Sequence, residues 1–160
     1  MRHAARHPGG FTLIELLVTI AVAAFLGMLV VPNLVSMVQS GKTSVLVNKF
    51  PQDVAWARNQ AVTTQQPVVM TLGPGNCVWA TTVGGTPSAE HSMTATSVSA
   101  QYPGVTCTIT GATSQTLAFT TQGFVSNAPT ITVTTANGQQ TWTMQVLSSG
   151  SVILNSNTAK

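Results

Sequence analysis

Apolar residues are distributed along this chain in three different ways. From Phe11 to Val31 (FTLIELLVTIAVAAFLGMLVV) they are nearly continuous, with Glu15 the one charge among 21 residues. A helix of that length rises about 30 Å, the thickness of a bilayer's hydrocarbon core. Further on, Leu46, Phe50, Val54, Ala57 and Ala61 recur at steps of three and four, which makes one stripe of an amphipathic helix. The pattern predicts a helix that continues over 32–66 beyond the membrane-spanning stretch at 11–31, with its stripe packed on a sheet. Pro32 and Pro51 each remove one helical hydrogen bond and should kink or loosen it, and Gly41 is a further soft point. The helix should end before Pro67, because a residue that precedes proline avoids helical geometry.

After residue 66 the period changes to two. Ile131 and Val133 alternate with threonines, and Trp142, Met144 and Val146 alternate with Thr143 and Gln145, the pattern of half-buried strands. Strands are expected at Val68–Leu72, Cys77–Thr82, Val105–Thr110, Thr116–Thr120, Thr130–Thr135, Thr141–Val146 and Val152–Leu154, with a hairpin turn at Asn137-Gly138. Residues 84–101 (GGTPSAEHSMTATSVSAQ) show little hydrophobic pattern and read as a surface loop. The fold class is therefore α+β: a long N-terminal transmembrane helix packed on a β-rich globular head at 67–160.

Charge narrows the function classes. Only 6% of residues are charged. The flank MRHAARHPGG carries Arg2 and Arg6 and no acid, so the positive-inside rule keeps that end cytoplasmic and puts the head outside. Beyond the flank, Lys42, Lys49, Arg58 and Lys160 face Glu15, Asp53 and Glu90, close to neutrality and no electrostatic footprint for nucleic acid. Cys77 and Cys107 both lie past the apolar block. One disulfide suits an oxidising compartment, and two buried thiols in adjacent strands fit the same sequence.

An ordinary secretory signal has an apolar core of roughly 7–15 residues and an A-x-A site. Ala21-Val22-Ala23 fits the site formally, but the apolar run is too long and the cut would leave FLGMLVV at the new terminus. A plain membrane anchor leaves Glu15 unexplained, since a carboxylate inside a spanning helix costs about 2.5–3.5 kcal/mol. Glu15 lies only four residues past Phe11, so snorkelling toward the interface is its bland reading.

Gly10-Phe11-Thr12-Leu13-Ile14-Glu15-Leu16-Leu17 resembles the class III signal of type IV pilins and type II secretion pseudopilins. The resemblance implies cleavage between Gly10 and Phe11 by a prepilin peptidase, which makes 1–10 a leader, and N-methylation of Phe11. It places Glu15 at the position from which the family pairs a carboxylate with a neighbour's N-terminal amine. The helix end Val54-Ala55-Trp56-Ala57-Arg58-Asn59-Gln60-Ala61-Val62, the strand Pro67-Val68-Val69-Met70, Phe119 with Gly123, and Gly150-Ser151-Val152 resemble the GspH/FimT family. That family implies a bent helix on a β-rich head. It also implies a single-pass inner-membrane protein with a periplasmic head, partnered by other pilins or pseudopilins and an inner-membrane assembly platform. Some FimT-like minor pilins are taken as DNA receptors in natural transformation through a basic Gly-Arg-x-Arg. Here the corresponding Gly150-Ser151-Val152-Ile153 is uncharged, which argues against a nucleic-acid partner.

The residue inventory speaks against an enzyme. His91 is the single histidine outside the leader, Asp53 the single aspartate, and no metal-ligand spacing or cofactor motif is present. A Ser-His-Asp arrangement would require His91, in the expected loop, to meet Asp53 on the helix; both read instead as solvated side chains. Trp56, Trp79 and Trp142 read as core or interface.

Overall fold

The computed structural model describes residues 11–73, 75–111, 115–135, 138 and 140–158. The chain divides into two units, Met1–Met37 and Val38–Lys160. Helix α1, Leu13–Thr64, contributes to both. It ends before Pro67 as expected, and its helical assignment passes through Pro32, Gly41 and Pro51 without a break.

In the first unit, Leu13–Val31 is long and apolar enough to cross a membrane, and none of its side chains is buried. A hydroxyl within such a span needs an acceptor, because lipid supplies none. Thr19 finds it within the helix, donating to the Leu16 carbonyl at 2.8 Å.

In the second unit the stripe of α1 is the inner wall of the core: Leu46, Phe50, Val54, Ala57 and Ala61 are all buried, with Val47 and Thr43 beside them. Two antiparallel four-stranded sheets complete that core. One sheet has strands β1 (Val68–Gly73), β2 (Val78–Val83), β3 (Thr86–Met93) and β5 (Thr116–Phe119) in the order β3-β2-β1-β5. The other has β4 (Thr106–Thr110), β6 (Thr130–Thr134), β7 (Gln140–Val146) and β8 (Val152–Thr158) in the order β4-β6-β7-β8. Alternation decides the faces: Ile131 and Val133 of β6, and Trp142, Met144 and Val146 of β7, are buried, while the intervening threonines and Gln145 are not. Leu46 and Phe50 share one small apolar cavity with Leu72, Trp79, Ile131 and Met144, so helix and both sheets meet there.

Two expectations need correction. Residues 84–101 are not a loop. After a turn at Gly84-Gly85 they form β3 and the short helix α2, Ala95–Gln101, whose N-cap Thr94 accepts from the Ser97 N–H at 3.2 Å. Their hydrophobic pattern is weak because β3 is an edge strand that buries only Met93 and α2 buries only Val98. Strand β8 also runs past Leu154 to Thr158, since backbone pairing with β7 carries the polar Asn155-Ser156-Asn157 along. Asn137 of the expected hairpin turn lies outside the described residues; β6 and β7 do pair antiparallel, with Gly138 at φ +69°.

The tight β1–β2 turn, with Gly75 at φ +83° and Cys77 at φ +51°, brings Cys77 to β4, where it is bonded to Cys107. The bridge closes 30 residues and joins the two sheets. Replacing both cysteines with alanine is expected to lower unfolding free energy by about 2–4 kcal/mol, the loop-closure value for that separation. Urea denaturation of the oxidised protein and the double variant measures it; equal midpoints and slopes would contradict it.

Candidate functional site

Two places in the chain concentrate chemistry. The first is the N-terminal end of α1. Phe11 and Thr12 precede the helix, and Phe11 is 83% exposed. Thr12 caps it: its hydroxyl accepts from the Glu15 N–H at 3.3 Å and its carbonyl from the Leu16 N–H at 3.2 Å. Glu15 thus occupies the third helical position, in the first turn, where the helix dipole favours a negative charge. Thr12-Leu13-Ile14-Glu15 has the T-x-x-E spacing of a capping box, a signal that a reading centred on the charge of Glu15 passes over. Glu15 is exposed, and Gly10 lies outside the described residues.

The second place is the head, where the reading of His91 and Asp53 as solvated side chains is overturned. Asp53 follows the stripe residue Phe50 by three positions, so it points into the core and is only 3% exposed. A buried carboxylate is costly unless both oxygens are met by donors. Oδ2 accepts from the Trp79 indole N–H at 2.8 Å and from Lys49 Nζ at 3.0 Å. Oδ1 lies 3.2 Å from Lys49 Nζ and 3.1 Å from His91 Nδ1. The ring of His91 stacks on Trp56 with centroids 3.7 Å apart, and Trp79 packs edge-on against Phe50. Lys49 also donates to the Glu90 carbonyl. One carboxylate therefore ties α1 to both β2 and β3. Sequence distance hid this, since Asp53, Trp79 and His91 lie in three elements, one of them read as a loop.

This His–Asp pair lacks the third member of a hydrolytic set. The Ser92 hydroxyl is engaged with the Ser88 carbonyl and the Thr81 N–H, the Thr81 hydroxyl donates to the His91 backbone carbonyl, and no hydroxyl among the described residues is bonded to the His91 ring. Among the described residues no three His, Cys, Asp or Glu side chains cluster as a metal site. The arrangement does structural work: it satisfies a buried charge and clamps the β2–β3 hairpin to the helix.

Scattered pieces of the helix-end and closing-strand motifs also meet in space. Gly123 and Gly150 have φ of +81° and +76°, and both turns lie against the stem of Arg58. A Cβ on Gly150 would fall 2.9 Å from Arg58 Cδ and from the Gly123 carbonyl; one on Gly123 would fall 3.2 Å from Arg58 Cγ. The glycines are required by the approach of two turns to one helical side chain. Gly150-Ser151-Val152-Ile153 forms the end of a turn and the start of β8 and presents no cation.

Substituting Asp53 with alanine leaves the buried Trp79 N–H without its acceptor and removes the ion pair with Lys49, and is expected to destabilise the head by about 2–3 kcal/mol. Trp79→Phe keeps an aromatic side chain but removes the N–H donor and part of the buried ring volume, and should cost about 2–4 kcal/mol. Chemical denaturation followed by far-UV circular dichroism gives both values; a neutral Asp53→Ala would show that the clamp contributes nothing.

Two known families match the chain over stretches that include both places. The family model for Type II transport protein GspH matches residues 46–150, which takes in the stripe, the Asp53 clamp, the disulfide and the Arg58–Gly123–Gly150 contact. The Prokaryotic N-terminal methylation motif matches residues 6–31, which takes in Thr12, Glu15 and the apolar span. No curated protein and no solved structure matches the chain. An N-terminal methylation motif on a membrane-length apolar helix, joined in sequence to a GspH head, is the plan of a pilin-like subunit, and the chain belongs to the GspH family as a minor pilin or pseudopilin of the type IV pilus or type II secretion kind.

Proposed function

We propose that the chain is a filament subunit inserted in the inner membrane with its head in the periplasm. A prepilin peptidase cleaves it between Gly10 and Phe11 and methylates Phe11. The assembly platform then draws it among other pilins or pseudopilins to prime or extend a filament. The observation that carries this reading is the placement of Glu15: the one ionisable side chain of an exposed apolar span, held at the helix's first turn just after the junction. Because α1 begins at Leu13, the residues on the mature side of the junction are outside the helix and open to a peptidase. Methylation leaves the Phe11 amine able to carry a proton, so a carboxylate near the start of one helix can meet the amine of a neighbour. Within an apolar filament core that pair is far stronger than a surface ion pair.

The cap at Thr12 gives Glu15 a local role too, and the two roles separate experimentally. Glu15→Gln keeps a side chain that suits a capping box and removes the charge. It should be inserted and cleaved, yet be depleted in sheared filaments relative to the membrane, because an unpaired buried amine costs about 3–5 kcal/mol. An unchanged filament-to-membrane ratio would reject the charge pairing.

Processing is tested independently. Mass spectrometry of the mature protein should find methylated Phe11 at the terminus, and a bulky residue in place of Gly10 should leave the precursor uncut in the membrane. A mature terminus at Ala24 would overturn the reading.

A further inference from the structure

Two sheets have four edges, and exposed edges invite pairing with another chain unless something blunts them. Three of the four edges here are blunted. On β3, Pro87 has no N–H, Glu90 carries a charge, and the register with β2 shifts between Trp79 and Thr81. On β5, a strand of four residues, Phe119 pairs with Val68 on one side and with Val125 on the other, so the returning chain covers the C-terminal end of that short edge. On β4, Cys107 pairs with Val133 on one side and Gly75 on the other, and the disulfide fastens that turn in place.

Strand β8 has none of these devices. Its seven residues pair one-to-one with β7, from Gln140↔Thr158 to Val146↔Val152, with no proline, glycine, charge or bulge. Among the described residues no backbone group beyond β7 bonds to it. Ile153 and Leu154 are 44% and 40% exposed on its two faces. Leu154 stands opposite Met144, on the side where the sheet meets the core, so the core is open at this margin.

We propose that β8 is a self-pairing edge, meeting the β8 strand of a second copy antiparallel about a two-fold axis at Asn155. That register sets Val152 against Thr158, Ile153 against Asn157 and Leu154 against Ser156, and uses all seven residues. It also keeps even-numbered residues on the core side of both copies, so the two Leu154 side chains become diagonal neighbours and cover the open margin. The β4-β6-β7-β8 sheets of the two copies join into one.

Charge selects the occupant. From Ser92 to Ala159 the chain contains no Asp, Glu, Lys, Arg or His. A charged peptide or a nucleic acid would find no counter-charge on this sheet, whereas a second copy meets no like charge. The pairing is a property of the head and does not depend on entry into a filament.

The full chain in detergent micelles tests it. Its two cysteines are bridged, so Asn155→Cys introduces the one free thiol. Copper-catalysed oxidation should give a covalent dimer with Asn155→Cys and not with Thr108→Cys on β4. Ile153→Cys mixed with Asn157→Cys should cross-link in preference to either alone. Adding Leu154→Lys beside Asn155→Cys should abolish the dimer, and adding Gln122→Lys should leave it. No dimer at Asn155, or equal yields at positions 155 and 108, overturns the proposal.

Discussion

Both sheets of the head close on the same short stretch of α1, and every other feature has to be compatible with that stripe. Burying Leu46, Phe50 and Val54 contributes about 1.5–3 kcal/mol each, the largest favourable terms the helix offers. The same turns of helix bring Asp53 inward. Its burial would offset most of that gain without donors, and the donors must come from whatever packs opposite. Trp79 and His91 supply them from the β2–β3 hairpin, and Lys49 reaches in from one turn earlier. The stripe thus fixes which hairpin can dock. The clamp fixes how it docks, because a shift of the hairpin along the helix would remove donors from a carboxylate that water cannot reach.

How much of this was legible follows from how locally each feature is encoded. The stripe could be read because its period is a property of a single helix. The threonine-flanked apolar residues of β6 and β7 could be read because one face of each strand is buried and the other is not. Strand β3 could not, since an edge exposed on both faces carries no alternation. The Asp53–His91 contact was hidden because it joins residues 38 apart through the pairing of β3 with β2, and pairing is not written in either segment alone. The Thr12 cap is local, and its T-x-x-E spacing is legible in the sequence.

The N-terminal unit solves a different problem with the same backbone rules. Its side chains face outward and nothing in the described structure covers them, so its apolar surface is suited to lipid or to other helices. In such surroundings each polar group must be met locally. Thr19 donates to its own helix, and Thr12 accepts the Glu15 N–H. Among the described residues these local devices leave the Glu15 carboxylate without a charge partner, and that is why the proposed assembly step turns on it.

The distribution of charge then separates two kinds of recognition within one subunit. Every ionisable Asp, Glu, Lys, Arg or His in residues 11–159 lies between Glu15 and His91, and Asp53, Lys49 and His91 are spent on one another inside the head. Contacts made by the sheet β4-β6-β7-β8 must therefore rest on backbone hydrogen bonds and shape, which salt barely screens. The contacts proposed for the N-terminal helix would rest on one carboxylate in an apolar setting, where a single charge has long reach. In the proposed assembly the helix would supply a strong interaction common to many subunits, while the neutral β8 edge would discriminate by register, since a one-residue slip between copies would set the two Leu154 side chains on opposite faces of the joined sheet.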